Sequence, residues 1–180
     1  MNLNRNTLVI SAIFFVTCLI NSPSTQANDE QIVTRMCGET DNPTVCKNCI
    51  DNSGREVSQE LDVIVGSIRC TYNDNYDLIN SLTQFASDAS DVKVKNVVNG
   101  CVQDYKSVQD GLITIVQEAS KQSFVTAKGL INSLIYPKMN ACDDAVKQSG
   151  IVIPPTFFGG SITVAGDLKL MSQLLSIIKA

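Results

Sequence analysis

The sequence predicts an all-α protein: an up-and-down four-helix bundle preceded by a short, disulfide-stapled N-terminal helical hairpin. Three observations carry this. Within residues 91–120, Val94, Val98, Cys101, Tyr105, Val108, Leu112, Ile115 and Ala119 are spaced alternately four and three apart. That is the stripe of a helix packed at a shallow angle in a bundle. Three other stretches repeat apolar residues at helical spacing, separated by turn residues. Six cysteines follow an N-terminal segment of secretory layout, an even number suited to disulfides in an oxidising compartment.

The first segment reads as an address. Met1–Thr7 carries one positive charge, Arg5, Leu8–Ile20 is an uncharged run of 13 residues, and Asn21–Ala27 is polar and ends on a small residue. This is the layout of a signal peptide, 1–27, with cleavage expected after Ala27. The run is too short to span a bilayer, which needs about 20 apolar residues. The expectation is therefore a secreted, extracellular domain over 28–180, with no membrane association after cleavage.

Next come two brief helices, Asp29–Cys37 and Thr44–Asp51, joined by the turn residues Gly38–Pro43. They form the hairpin of residues 28–56; the bundle follows over 57–180. Its first helix, Ser58–Asp88, carries Leu61, Ile64, Val65, Ile68, Tyr72, Ile79, Leu82, Phe85 and Ala86. Its polar middle, Tyr72–Tyr76, predicts a frayed or bent stretch. The second is Asp91–Ser120. The third, Lys121–Lys147, carries Phe124, Ala127, Ile131, Leu134, Ala141 and Ala145, and Pro137 inside it predicts a kink near Leu134–Pro137. Gly150–Ser161, with paired prolines and glycines, reads as a loop. Ser161–Lys179 closes the bundle through Val164, Leu168, Met171, Leu175 and Ile178.

Composition excludes several functions. The chain has no histidine. Ser-His-Asp and Cys-His nucleophile systems and His-bearing zinc sites are impossible, and the usual general acid–base near neutral pH is missing. A net charge of −4 does not suit nucleic acid, which needs a basic stripe. Cys46-Lys-Asn-Cys49 has the CxxC spacing, but no second CxxC and no βαβ context accompany it, so structural disulfides are the expectation. Asp143-Asp144 reads as a solvated or helix-end pair rather than as hydrolytic carboxylates facing across a cleft. The expected protein is not an enzyme and takes no cofactor or metal.

Six cysteines allow 15 connectivities. Cys37 and Cys46 flank the hairpin turn, where a bond would close a short loop. Counting helical rise from a turn near Ser120 sets Cys101 and Cys142 at nearly equal heights on antiparallel helices. Cys49 and Cys70 remain, as a third bond or as free thiols.

The segments Cys37-Gly-Glu-Thr40-Asp-Asn-Pro43-Thr-Val-Cys46, Gly100-Cys101-Val-Gln-Asp104-Tyr105, Ala141-Cys142-Asp143-Asp144 and the aliphatic Leu174–Ile178 together resemble the plant invertase/pectin methylesterase inhibitor family. The resemblance implies pairing of the first two cysteines with each other and of the last two across the bundle. It also implies a non-enzymatic role: one-to-one binding that covers the active-site cleft of a cell-wall or vacuolar carbohydrate enzyme, pectin methylesterase or acid invertase. Invertase inhibitors of the family often carry Pro-Lys-Phe at the start of the third bundle helix; here Gln122-Ser123-Phe124 keeps only the Phe. Pectin methylesterase in the plant apoplast is thus the target the resemblance favours. Cys49 and Cys70 depart from the family's four-cysteine pattern. The polar positions off the stripe on the second and third bundle helices, where the family meets its enzymes, are Lys106, Gln109, Asp110, Gln117, Lys128 and Asn132. Tyr105 reads as core, and Phe157-Phe158 as a bundle cap rather than a binding tip. A secreted bundle binding an apolar ligand or a receptor is the alternative.

Overall fold

A computed structural model describes residues 24–178. The expected signal peptide lies outside them except for its last residues, 24–27, which begin the first helix. The helices are α1 (Ser24–Gly38), α2 (Pro43–Asn52), α3 (Glu60–Asp88), α4 (Val92–Ser120), α5 (Phe124–Leu130), α6 (Tyr136–Ser149) and α7 (Pro155–Ile177). A π-helical turn, Ile131–Ile135, joins α5 to α6. No strand occurs among the described residues. α3, α4, the α5–α6 rod and α7 form the bundle; α3 packs against both α4 and α7, and the rod bridges α4 and α7. The α1–α2 hairpin sits on α3 and touches α7.

The stripe of α4 is the core's backbone. Val98, Cys101, Tyr105, Val108, Leu112, Ile115 and Ala119 are all buried, facing Ile64, Ile68 and Leu82 of α3 and Val164, Leu168 and Met171 of α7 within one apolar cluster. α2 starts with Pro43 preset for the first turn and with the Asn42 side chain accepting from Val45 N–H. The hairpin comes close to α3 at Gly66, where a Cβ would lie 3.2 Å from both Ile50 Cδ1 and Ser53 Oγ.

Three expectations are corrected. The polar stretch Tyr72–Tyr76 is not frayed; α3 runs through it, and buried Asn75 donates from Nδ2 to the Tyr105 carbonyl at 2.9 Å. Gly150–Ser161 is not all loop. α7 begins at Pro155, where proline's fixed φ suits the first turn, and Gly160 lets it approach α3, a Cβ there meeting Leu78 Cδ1 at 2.9 Å.

The third correction concerns register. The helix does change near Pro137, but by widening: Tyr136 N–H donates to Ile131 O, five residues back. This relieves the clash between a proline ring and the carbonyl four residues earlier. The wide turn holds one extra residue, so the stripe slips by one. Ile135, Met139, Cys142 and Val146 are buried, whereas Leu134, Ala141 and Ala145 are exposed.

The α4–α5 turn is closed by Gln122 N–H to Ala119 O at 2.9 Å and Ser123 N–H to Glu118 O at 3.0 Å. This is a Schellman arrangement with Gln122 at the left-handed position, φ 61°, where glycine is usual. Gln122→Gly is expected to stabilise the protein by about 0.5–1 kcal/mol by removing the Cβ strain; an unchanged urea midpoint would refute this.

Candidate functional site

Of the six polar positions, Lys106, Asp110 and Gln117 are exposed and share one outward stripe of α4, opposite its buried face. Ile113, 49% exposed, lies among them. Gln109 is half-buried on the flank, and its Nε2 has no acceptor. On the other flank Asp104 pairs with Lys138 of α6 at 3.6 Å. Lys128 and Asn132 are exposed but belong elsewhere: Lys128 Nζ donates to Ser176 Oγ on α7 at 2.7 Å, and Asn132 follows it one turn later. The six positions therefore divide into Lys106, Asp110 and Gln117 on the outward face of α4, Gln109 on its flank, and Lys128 and Asn132 on the third rod.

That seam ends beside the Schellman turn in an open hollow of about 420 Å³, bounded by Gln122, Phe124, Val125, Lys128, Leu175 and Ile178. Val125 is exposed there. Near the other end of α7 the two phenylalanines separate. Phe157 is buried edge-on against Tyr105, centroids 6.4 Å apart. Phe158 is 49% and Ile162 72% exposed; both line a hollow of about 200 Å³ with Asp143, Val146 and Lys147. Burial is the main influence on the Asp143 carboxyl and raises it, against the pull of Lys147 and with a push from Asp144.

Inside the bundle lies a polar seam that the sequence reading missed. Ser67, Thr71 and Asn75 recur every four residues on α3, all buried. Asn75 holds the Tyr105 backbone, and Tyr105 Oη donates to Ser161 Oγ at 2.9 Å. Burial pushes the Tyr105 phenol up to about 12, so the hydroxyl remains a donor. Asp167 of α7 is 5% exposed. No donor reaches its Oδ2, and its side chain meets Asp74 of α3. Two carboxyl groups hydrogen-bond only if one keeps a proton. Burial foremost, and Asp74 beside it, hold Asp167 well above the usual carboxylate range, so Asp167 is that proton's carrier. The available signal was a charged residue next to Leu168 in the α7 stripe.

The cysteines form three bonds: Cys37–Cys46 within the hairpin, Cys49–Cys70 from hairpin to α3, and Cys101–Cys142 from α4 to α6. The hairpin is further held by Arg35 with Glu60, Asp41 with Lys169 at 2.6 Å, and Asp41 N–H to Gln173 Oε1 at 3.3 Å.

No family model matches the sequence, and no curated protein matches it. Solved structures do. A pectin methylesterase inhibitor from Arabidopsis thaliana superposes with a TM-score of 0.60 at 15% identity, covering 84% of this chain and 99% of that one. Mutant form A of a pectin methylesterase inhibitor from Arabidopsis does so with a TM-score of 0.65 at 14% identity, covering 82% and 97%. At such identity the likeness is one of architecture, and it extends over nearly the whole of each solved chain: this chain has the fold of the plant invertase/pectin methylesterase inhibitors.

Proposed function

We propose that the protein is a secreted, non-enzymatic inhibitor that binds a pectin methylesterase of the cell wall one-to-one and occludes its active site. The observation that carries this reading is the end-to-end match to two pectin methylesterase inhibitors, the solved chains being 97–99% covered. In this reading the outward face of α4, with Lys106, Asp110, Ile113 and Gln117, is the contact surface. It joins charges of both signs to one exposed apolar side chain on one helix face, as a polar interface around an apolar centre requires. Lys128 and Asn132, on the third rod, lie outside it. The domain reading places the signal at 1–27 and the working protein at 28–180.

The α4–α5 turn favours pectin methylesterase over acid invertase. The site of the Pro-Lys-Phe motif begins here at Gln122, whose φ of 61° proline cannot adopt. A proline-led start of the third helix is incompatible with this turn.

The test is a titration of pectin methylesterase and acid invertase with purified protein near pH 5. Loss of pectin methylesterase activity at a one-to-one ratio, with invertase unaffected, is the expected result. Full activity of both enzymes under micromolar excess would overturn the assignment. The double variant Asp110→Arg, Ile113→Asp is expected to weaken inhibition at least tenfold while leaving the circular dichroism unchanged; wild-type potency would remove α4 as the contact face.

A further inference from the structure

One disulfide differs from the other two in its surroundings. Cys37, Cys46, Cys49, Cys101 and Cys142 are each at most 5% exposed, whereas Cys70 is only partly buried. A carboxyl oxygen of Asp167 and the sulfurs of Cys49 and Cys70 all lie within 4.8 Å of one another. Asp167 is itself buried, with an unpartnered Oδ2. The bond thus joins one buried and one partly buried cysteine, with a buried acid beside both sulfurs.

We propose that Cys49–Cys70 is a reducible switch disulfide, opened by a dithiol reductant that attacks Cys70 Sγ while the Asp167 carboxyl protonates the departing Cys49 thiolate. In the first step the reductant's thiolate forms a mixed disulfide with Cys70. The Cys49–Cys70 bond breaks, its electron pair leaves on Cys49 Sγ, and the Asp167 proton passes to that sulfur, leaving a carboxylate. In the second step the reductant's other thiol resolves the mixed disulfide and releases Cys70. The net change transfers two electrons and two protons: the dithiol becomes a disulfide and the protein gains two thiols, Asp167 being reprotonated from solvent. Exchange is faster where the attacked sulfur is accessible and the leaving thiolate is stabilised; Cys70 is the least buried of the six cysteines, and the Asp167 carboxyl lies beside Cys49.

The groups around Asp167 fit the role. From α3 it faces Asp74 and Cys70, and from α2 Cys49. Cations of the elements packed on α7 are engaged elsewhere or exposed: Arg35 of α1 pairs with Glu60, Lys128 of α5 with Ser176, Lys47 of α2 with Asp51, and Arg69 of α3 is exposed. On α7, Lys169 pairs with Asp41. Among the charged groups Asp74 is therefore the nearest influence, and together with burial, the larger cause, it keeps the proton on Asp167. Opening the bond removes the disulfide between the α1–α2 hairpin and the bundle, while Cys37–Cys46 still closes the hairpin.

The test treats the purified, fully oxidised protein with dithiothreitol between pH 5 and 8 under native conditions, alkylates at intervals and maps labelled cysteines by mass spectrometry. Cys49 and Cys70 are expected to label at least tenfold faster than the other four. The rate constant per dithiothreitol thiolate is expected to fall as pH rises and Asp167 ionises. Asp167→Asn is expected to lower that constant at least tenfold at pH 5 and to flatten its pH profile. Simultaneous labelling of all six cysteines, earlier opening of either other bond, or a wild-type rate and profile in Asp167→Asn would overturn the proposal. Should Asp167→Asn not fold, Asp74→Asn decides: loss of the neighbouring charge is expected to move the fall in rate to lower pH, and an unmoved profile counts against the proposal.

Discussion

Asp62→Ala is expected to destabilise the protein by about 2–4 kcal/mol, read as a lower urea midpoint with an unchanged slope. The carboxylate is 6% exposed and accepts five hydrogen bonds. Arg55 Nε and Nη2 reach Oδ1 at 3.1 and 2.6 Å; Ser58 N–H, Ser58 Oγ and Gln59 N–H reach Oδ2 at 3.0, 2.9 and 3.1 Å. It closes the start of α3 and fixes the link from the hairpin, so alanine leaves two backbone donors and a guanidinium without their acceptor. Asn, which keeps one acceptor oxygen, is expected to lose less. Burial by itself would raise the Asp62 carboxyl, but Arg55 and the Ser58 N–H and hydroxyl outweigh it and hold the group below its ordinary value. A depressed folded value makes this stabilisation complete above the unfolded carboxyl's value, near about pH 4, and lost as pH falls through the folded one.

Asp167→Asn is expected to act in the opposite direction, raising stability at pH 7 by roughly 2–4 kcal/mol. Burial and Asp74 raise the Asp167 carboxyl, so the folded state binds its proton more tightly than the unfolded chain. The wild-type protein is therefore most favoured, on this account, below about pH 4. It loses up to about 1.4 kcal/mol per pH unit as pH rises from there through the raised folded value. An asparagine amide donates to Asp74 with no proton to lose. Urea unfolding of both proteins at pH 4, 5, 6 and 7 checks this: the difference should widen with pH, and a constant difference would refute it. With Asp62 requiring its charge and Asp167 its proton, maximum stability is expected near pH 4–5.

These two aspartates mark the boundary of what pattern reading reaches. The stripe Val98–Ala119 was legible because a helix buried on one side must repeat apolar residues every three to four positions, and seven of its eight expected members are buried. Pro137 was legible as a disturbance of the third helix, expected as a kink. Its consequence was not: whether a helix kinks or widens depends on which solution lets the next turns refill the core, and here one inserted residue brought Met139 and Val146 inward and turned Leu134 out. The start of α7 was hidden by Pro-Pro and Gly-Gly, which mark turns locally. Gly160 is there because α3 passes within contact distance.

The candidate surface was legible only as polarity. Spacing placed Lys106, Asp110 and Gln117 on one face, but nothing in the sequence relates Lys128 to Ser176 or separates Asn132 from α4, since that depends on how the rods are arranged around the core. The polar seam was the least legible. Ser67, Thr71, Asn75 and Asp167 are ordinary exposed residues by composition, and only a neighbouring helix makes them interior.

By itself the sequence determined the all-helical class, the order of hairpin and bundle, and the stripe on which the core is built, because periodicity and turn chemistry are local. The tertiary structure alone decided the register of the third rod, the burial of Asp167 against Asp74, and its placement beside Cys49–Cys70. Each of those depends on residues far apart in the chain meeting at a few ångströms, where burial changes what a carboxyl or a sulfur does.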